Sequence, residues 1–326
     1  MTGTFASGNW IVYIKGLVLI VAVASASLTS SSCVFAARTL YREAAREQGR
    51  HEVEDNEAGD SLAKNLPPDI RIVRDVAYGS DAKQRFDVYA PMRAMNAPVI
   101  FMVHGGGWTR GDKAMTRVVE NKVRHWLPQG YVFISVNNRL LPQAAIEDQA
   151  QDVARALAYA QAQAAEWGAD ASKFVLMGHS AGAHLIALVS SSPTRAAQAG
   201  AKAWRGSVIL DSAAYDVAAL MRERHFPLYD RAFGTDTARW CELSPQAVLT
   251  RSTPPVLAVC SSQRVTSCAQ AQSYVDKAKA FGTHASVLAQ NLSHSEINAT
   301  LGETGAYTDA VDAFLRSLGL TASPSP

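Results

Sequence analysis

Apolar and polar positions change their period repeatedly along this chain, and each change marks an element. Ile70–Ala77 and Phe86–Tyr89 are short β-rich segments. Pro98–Val103 (PVIFMV) is an unbroken apolar run ending in glycines, as a strand buried on both faces should be. Lys113–Leu127 reads as a helix, and Tyr131–Val136 after Gly130 as a strand. Ile146–Trp167 has helical periodicity and is rich in Ala and Gln. Lys173–Met177 is another buried strand, followed by an apolar helical run from Ala181. Ser207–Leu210, Pro255–Val259 and Ser286–Ala289 are three more strands, and Tyr274–Phe281 and Ala306–Leu318 are helices. Strands that alternate with helices in this way predict an α/β fold, with an eight-stranded, mostly parallel sheet covered on both faces.

The first 33 residues have a different pattern. Lys15 precedes an apolar run from Gly16 to Leu28, which gives way to small residues and Cys33. A basic start, a short apolar stretch and a small-x-small pattern (Ala24-Ser25-Ala26) make a secretory signal. Cys33 offers a lipoprotein signal instead, although Ser30 stands where such a signal wants Leu. Trp10 to Leu28, with only Lys15 charged, also approaches the length of a membrane anchor. All three readings predict export, to the periplasm, the medium or a membrane surface. In residues 34–68, Arg38, Arg42, Arg46 and Arg50 would share one helix face, as a linker helix in solvent or one touching anionic headgroups. The folded domain is expected at 69–320, with a short tail at 321–326.

Composition narrows the chemistry. Lysine and arginine number 31 against 29 acidic residues, too even for a nucleic-acid partner. Four cysteines are too few for a disulfide scaffold or a cysteine-built zinc module. No G-x-G-x-x-G or Walker A sequence opens a helix, and no H-E-x-x-H occurs, so neither a cofactor nor a metal is expected.

Gly178-His179-Ser180-Ala181-Gly182 joins the strand KFVLM to the helical run AHLIALV. A G-x-S-x-G turn in that context lifts its serine to the carboxyl end of the sheet and the start of a helix. Ser180 is therefore the candidate nucleophile, against the alternative of a plain helix-capping serine. His104-Gly105-Gly106-Gly107-Trp108 follows the strand PVIFMV. Its glycines let backbone N–H groups approach a substrate oxygen, so Gly106, Gly107 and Ala181 are the candidate oxyanion donors. His104 is expected to hold this loop, and Trp108 either to line the substrate pocket or to cover the sheet end.

HGGGW one strand pair ahead of GHSAGAH, with FDVYAP and NNRLLP around them, resembles the α/β-hydrolase superfamily in its hormone-sensitive-lipase-like esterase branch, including the arylformamidase group. The resemblance covers about residues 70–320. It implies a serine hydrolase acting on small or mid-sized carboxylic esters or on an activated amide.

Chain order in that superfamily is nucleophile, acid, histidine. His294 follows the last strand and is the candidate base, since His284 precedes that strand. The acid usually follows the seventh strand, but Cys260–Cys268 (CSSQRVTSC) contains no Asp or Glu. Some relatives carry the acid after strand six, where this chain has Asp211. Asp216 and Glu296 remain alternatives, as does a site without an acid. Cys260 and Cys268 could pair in an exported protein.

Residues 212–254 form a cap-like insertion rich in Arg and aromatic residues. Arg222, Arg224 and Arg231 are either readers of an anionic substrate group or simply solvated. The expected activity is cleavage of small to mid-sized acyl or aryl esters through an acyl-enzyme at Ser180. An arylformamidase-type amidase and a non-catalytic binding protein on the same fold are the alternatives.

Overall fold

The computed structural model describes Leu66 and residues 69–320. The leader expected at 1–33, nearly all of the linker at 34–68 and the tail at 321–326 lie outside the described residues. Among the described residues no helix is long and apolar enough to cross a membrane.

Eight strands form one sheet: β1 (Ile70–Ala77), β2 (Arg85–Pro91), β3 (Ala97–Val103), β4 (Val132–Val136), β5 (Ala169–His179), β6 (Gly206–Leu210), β7 (Val256–Ser261) and β8 (Ala285–Gln290). Their spatial order is β1-β2-β4-β3-β5-β6-β7-β8. β2 runs antiparallel to both its neighbours, and every pairing from β4 to β8 is parallel. The helices in chain order are α1 (Thr116–Trp126), α2 (Ile146–Gln163), α3 (Ala181–Ser191), α4 (Pro193–Gln198), α5 (Val217–Arg222), α6 (Pro227–Phe233), α7 (Thr237–Glu242), α8 (Pro245–Val248), α9 (Val265–Ala280), α10 (His294–Ala299) and α11 (Ala306–Ser317).

The unbroken apolar strands serve two cores at once, because successive side chains point to opposite faces. From β3, Val99, Phe101 and Val103 enter the core that α2, α3 and α9 cover, while Ile100 and Met102 enter the one under α1 and α11. β5 divides in the same way, Phe174 and Leu176 against Val175 and Met177. A polar residue at any of these positions would face a closed apolar layer. Burying each of the large side chains is worth roughly 1.5–3 kcal/mol.

Two elements differ from the sequence pattern. The helix expected at Tyr274–Phe281 begins at Val265, because its first turns (TSCAQAQS) are small and polar and carry no apolar stripe. The helix expected from Lys113 begins at Thr116. Lys113 instead turns inward and pairs with buried Asp87 at 2.8 Å and with Asp75 at 2.9 Å. Its N–H bonds Asn137 Oδ1 at 2.7 Å, so the segment after the glycine loop is tied to the ends of β2 and β4.

The turn between β5 and α3 is the tightest place in the fold. Ser180 sits at φ 54°, ψ −116°, a region that costs a non-glycine residue about 1–3 kcal/mol. Its N–H bonds Leu210 O at 3.0 Å, and its carbonyl accepts from His184 N–H at 3.0 Å. A Cβ at Gly182 would stand 2.3 Å from His104 O and 2.4 Å from Val103 O; one at Gly178 would stand 2.5 Å from Gly182 O. Gly182→Ala should therefore cost about 3 kcal/mol in urea unfolding, at the upper end for overpacking. Gly282→Ala, where the added carbon meets nothing and only the left-handed backbone opposes it, should cost about 1–2 kcal/mol. Equal losses would mean that the elbow is looser than its contacts imply.

Candidate active site

Parallel strands deliver their carboxyl ends to one edge of the sheet, and β5, β6 and the turn after β8 each end there with a polar side chain. β5 and β6 are direct neighbours, so Ser180 and Asp211 leave the sheet side by side. The chain after β8 returns over them through Ser293, whose hydroxyl and Glu296 cap α10 reciprocally. His294 is the first residue of that helix. Its Nδ1 lies 2.5 Å from Asp211 Oδ2 and its Nε2 lies 2.9 Å from Ser180 Oγ. A carboxylate at Nδ1 requires a proton on that nitrogen, which leaves Nε2 free to accept from the serine hydroxyl.

Asp211 has no exposed side-chain surface. Oδ1 accepts from the Ser261 N–H at 2.8 Å and the Ser267 hydroxyl at 2.5 Å. Oδ2 accepts from His294 and from the Arg264 guanidinium. Burial alone would raise its pKa, but the His294 hydrogen bond, the Arg264 charge and the Ser261 N–H outweigh burial and hold the carboxyl well below its usual range. His294 titrates below the ordinary imidazole value, first because it is desolvated and then because Arg264 is cationic; Asp211 opposes both.

The glycine loop packs directly on the elbow. A Cβ at Gly105 would stand 3.1 Å from Ser180 Cβ, so only glycine lets the two turns approach this closely. Gly106 and Gly107 have φ of 121° and 59°, and a Cβ at Gly106 would meet Arg110 O at 2.1 Å. Among the described residues nothing accepts a hydrogen bond from the N–H of Gly106, Gly107 or Ala181. Ala181 also opens α3, where the first N–H groups have no partner within the helix. His104 Nδ1–H donates to Gly105 O at 2.6 Å, and its ring fills the space beside Gly111.

Trp108 is only 4% exposed. Its ring packs on His184, Tyr229 and Phe233, and its indole N–H donates to His184 Nδ1 at 3.3 Å. His184 Nε2–H in turn donates to Leu243 O at 2.8 Å, in the insertion. Trp108 thus anchors the loop to the cap by ring packing and leaves almost none of its own surface open. The cap itself is α5 to α8, tied to α2 by two Arg239–Glu147 hydrogen bonds of 2.6 and 2.9 Å. Leu228 of the cap comes within 4.0 Å of the Cβ position of Gly107.

The other candidate acids are occupied elsewhere. Asp216 accepts from Ala219 N–H at 2.9 Å and caps α5. Glu296 accepts from Ser293 N–H at 2.7 Å. Arg222, Arg224 and Arg231 are exposed. Cys260 and Cys268 form a disulfide with Cα atoms 5.1 Å apart. The stretch between them, expected as a loop, already enters α9. Three residues that sequence reasoning passed over complete the arrangement: Arg264 and Ser267 on Asp211, and His179, whose Nε2–H donates to His294 O at 2.9 Å. Only His179 carried a signal, its place inside the G-x-S-x-G turn.

The BD-FAE family profile matches residues 86–215. The probable carboxylic ester hydrolase LipM of Mycobacterium tuberculosis is 32% identical over 148 residues, covering 42% of this chain and 34% of that protein. A probable isoprenylcysteine alpha-carbonyl methylesterase of Arabidopsis thaliana is 30% identical over 115 residues, covering 35% of this chain and 24% of that protein. The match therefore spans about a quarter to a third of the length of these curated relatives. Esterase B from Lactobacillus rhamnosis superposes with a TM-score of 0.67 at 20% identity, over 86% of this chain and 95% of that one. Thermogutta terrifontis esterase 2 gives 0.63 at 21% identity, over 78% and 97%, and its structure phosphonylated by sarin gives 0.64. With this strand order and this elbow the described domain has the α/β-hydrolase fold, and residues 86–215 are similar to the BD-FAE family.

Proposed function

We propose that the protein is a serine carboxylesterase that cleaves esters of small to mid-sized acyl or aryl groups. The observation that carries this reading is the imidazole of His294, 2.9 Å from Ser180 Oγ on one side and 2.5 Å from Asp211 on the other. Ser180 Oγ attacks the ester carbonyl while His294 Nε2 takes its proton. The charge that develops on the carbonyl oxygen falls among the N–H groups of Gly106, Gly107 and Ala181, each worth about 3–4 kcal/mol there. Collapse expels the alcohol with the proton from His294 and leaves Ser180 acylated. A water activated by the same nitrogen then releases the acid. Asp211 holds the imidazole in the needed tautomer and stabilises the imidazolium. The relatives named as ester hydrolases support this chemistry.

We also propose export to an oxidising compartment. The disulfide between Cys260 and Cys268 supports it, since such bonds persist there and are rare in a reducing cytosol.

The full chain should hydrolyse p-nitrophenyl acetate and butyrate faster than the octanoate. Ser180→Ala should lower kcat/KM by at least about 10³-fold. Activity retained in that variant would end the reading, and an inert wild type still labelled by a fluorophosphonate would leave the nucleophile and move the substrate to amides.

For the acid, Asp211→Asn should lower kcat by about 10²–10⁴-fold, because an amide no longer fixes the tautomer. Asp216→Asn and Glu296→Gln should stay within a few-fold and cost little stability, because the amide oxygen of each can still accept the capping N–H bond. The reverse ranking in the same assay would assign the acid to one of the latter.

A further inference from the structure

Arg264 stands at the residue before α9, and its guanidinium enters the triad itself. Nη1 donates to Asp211 Oδ2, lies 3.4 Å from the Asp211 carbonyl oxygen, and lies 2.7 Å from His294 Nδ1. A guanidinium has donors and no acceptor. His294 Nδ1 carries a proton whenever it serves Asp211. Two donors therefore share one carboxylate oxygen and press against each other. During proton transfer the imidazole gains a positive charge beside one that is already there. Arg264 thus satisfies the buried carboxylate and at the same time opposes the cation that His294 must become.

We propose that Arg264 is a positioning residue that keeps His294 neutral: held on Asp211 Oδ2 against the Nδ1 edge of the ring, it disfavours the imidazolium and extends catalysis to lower pH. This rests on the reading of Ser180 as nucleophile and His294 as base.

The chain holds Arg264 firmly. Its N–H bonds Ser261 O at 3.1 Å and its carbonyl accepts from Ser267 N–H at 3.0 Å. The Cys260–Cys268 disulfide closes the same segment into a short loop. Ser261 and Ser267, each next to one of the two cysteines, bond the other oxygen of Asp211. Among the described residues, this one segment supplies every carboxylate partner of Asp211 except His294.

Other ionisable groups surround His294 and are accounted for. His179, from β5, lies 4.6 Å away between ring centroids and is held far below its ordinary pKa by burial and then by the charge of His294. Lys122, from α1, is buried without a carboxylate and pushed down to about 7 by desolvation. It donates to Asn298 O at 2.6 Å, at the far end of the helix that His294 starts. Arg117, also from α1, donates to Ser295 Oγ at 2.9 Å. Glu296 is used in the α10 cap. Tyr229 of the cap interacts with Arg264, and the Asp211 charge reaches Tyr215 and Tyr307; burial raises all three phenols. Arg264 is the one cation among them in contact with the imidazole.

The sign follows from the base. Activity needs neutral His294, so kcat/KM falls as pH drops through its pKa. Removing a cation beside the ring raises that pKa, so the fall begins at higher pH.

The test is kcat/KM for p-nitrophenyl acetate against pH, with the full chain, from about pH 4.5 to 9. Arg264→Gln should move the acid limb up by about one pH unit, and Arg264→Lys, which keeps the charge, should leave it within about 0.3 units of wild type. A Gln variant that loses the same factor at every pH would reduce Arg264 to a structural role and overturn the proposal. If that variant does not fold, Arg264→Met, which removes the charge and keeps an unbranched stem, decides by the same shift of the acid limb, and an unshifted limb in it would overturn the proposal. A wild type inert to both the ester and a fluorophosphonate sinks the esterase reading, whereas an active wild type indifferent to Arg264 sinks this inference alone.

Discussion

A fully buried carboxylate is costly unless each of its oxygens is met by a donor, and Asp211 meets that condition with four. Much of the site follows from where those donors come from. Two are the backbone N–H of Ser261 and the hydroxyl of Ser267, brought in from β7 and α9. One is Arg264, whose charge balances the aspartate. The last is the imidazole of His294, and its bond to the carboxylate is the one that faces the serine. Loss of the Ser261–Cys268 frame would leave the charge buried and partly unmet, and the histidine would lose its orientation with it.

Sheet topology makes the juxtaposition possible. Ser180 and Asp211 end neighbouring parallel strands, and both adopt positive φ, at 54° and 55°. That strain persists because Ser180 N–H bonds Leu210 O and Asp211 N–H bonds Val259 O, locking each turn to the adjacent strand. The glycine loop completes the site from β3, on the other side of β5. Its fixed geometry depends on Trp108 and His184 beneath the cap and on Lys113 behind it. The donors of Gly106, Gly107 and Ala181 therefore stand ready before any substrate arrives.

The centre of the sheet was legible in the sequence because its strands are apolar on both faces, and PVIFMV or KFVLM admits few other uses. Ser180 and the three glycines were legible because their spacing has one steric purpose. The acid was harder. Only chain order and the position of Asp211 after SVIL pointed to it, and nothing local separates it from Asp216, which caps a helix. Arg264 was illegible, since an arginine in a polar stretch normally reads as solvated and its role depends on a carboxylate from another strand. The early start of α9 was hidden for a related reason: small polar residues such as Ser267 face the carboxylate, so the stretch shows no apolar stripe.

A crystal structure of the full chain after reaction with a p-nitrophenyl phosphonate would show whether Ser180 is a nucleophile set in a preformed oxyanion site. Phosphorus should be bonded to Ser180 Oγ, with one phosphonyl oxygen about 2.7–3.1 Å from the N–H groups of Gly106, Gly107 and Ala181. Phosphorus on a different side chain, or on Ser180 with that oxygen turned away from those three donors, would refute it.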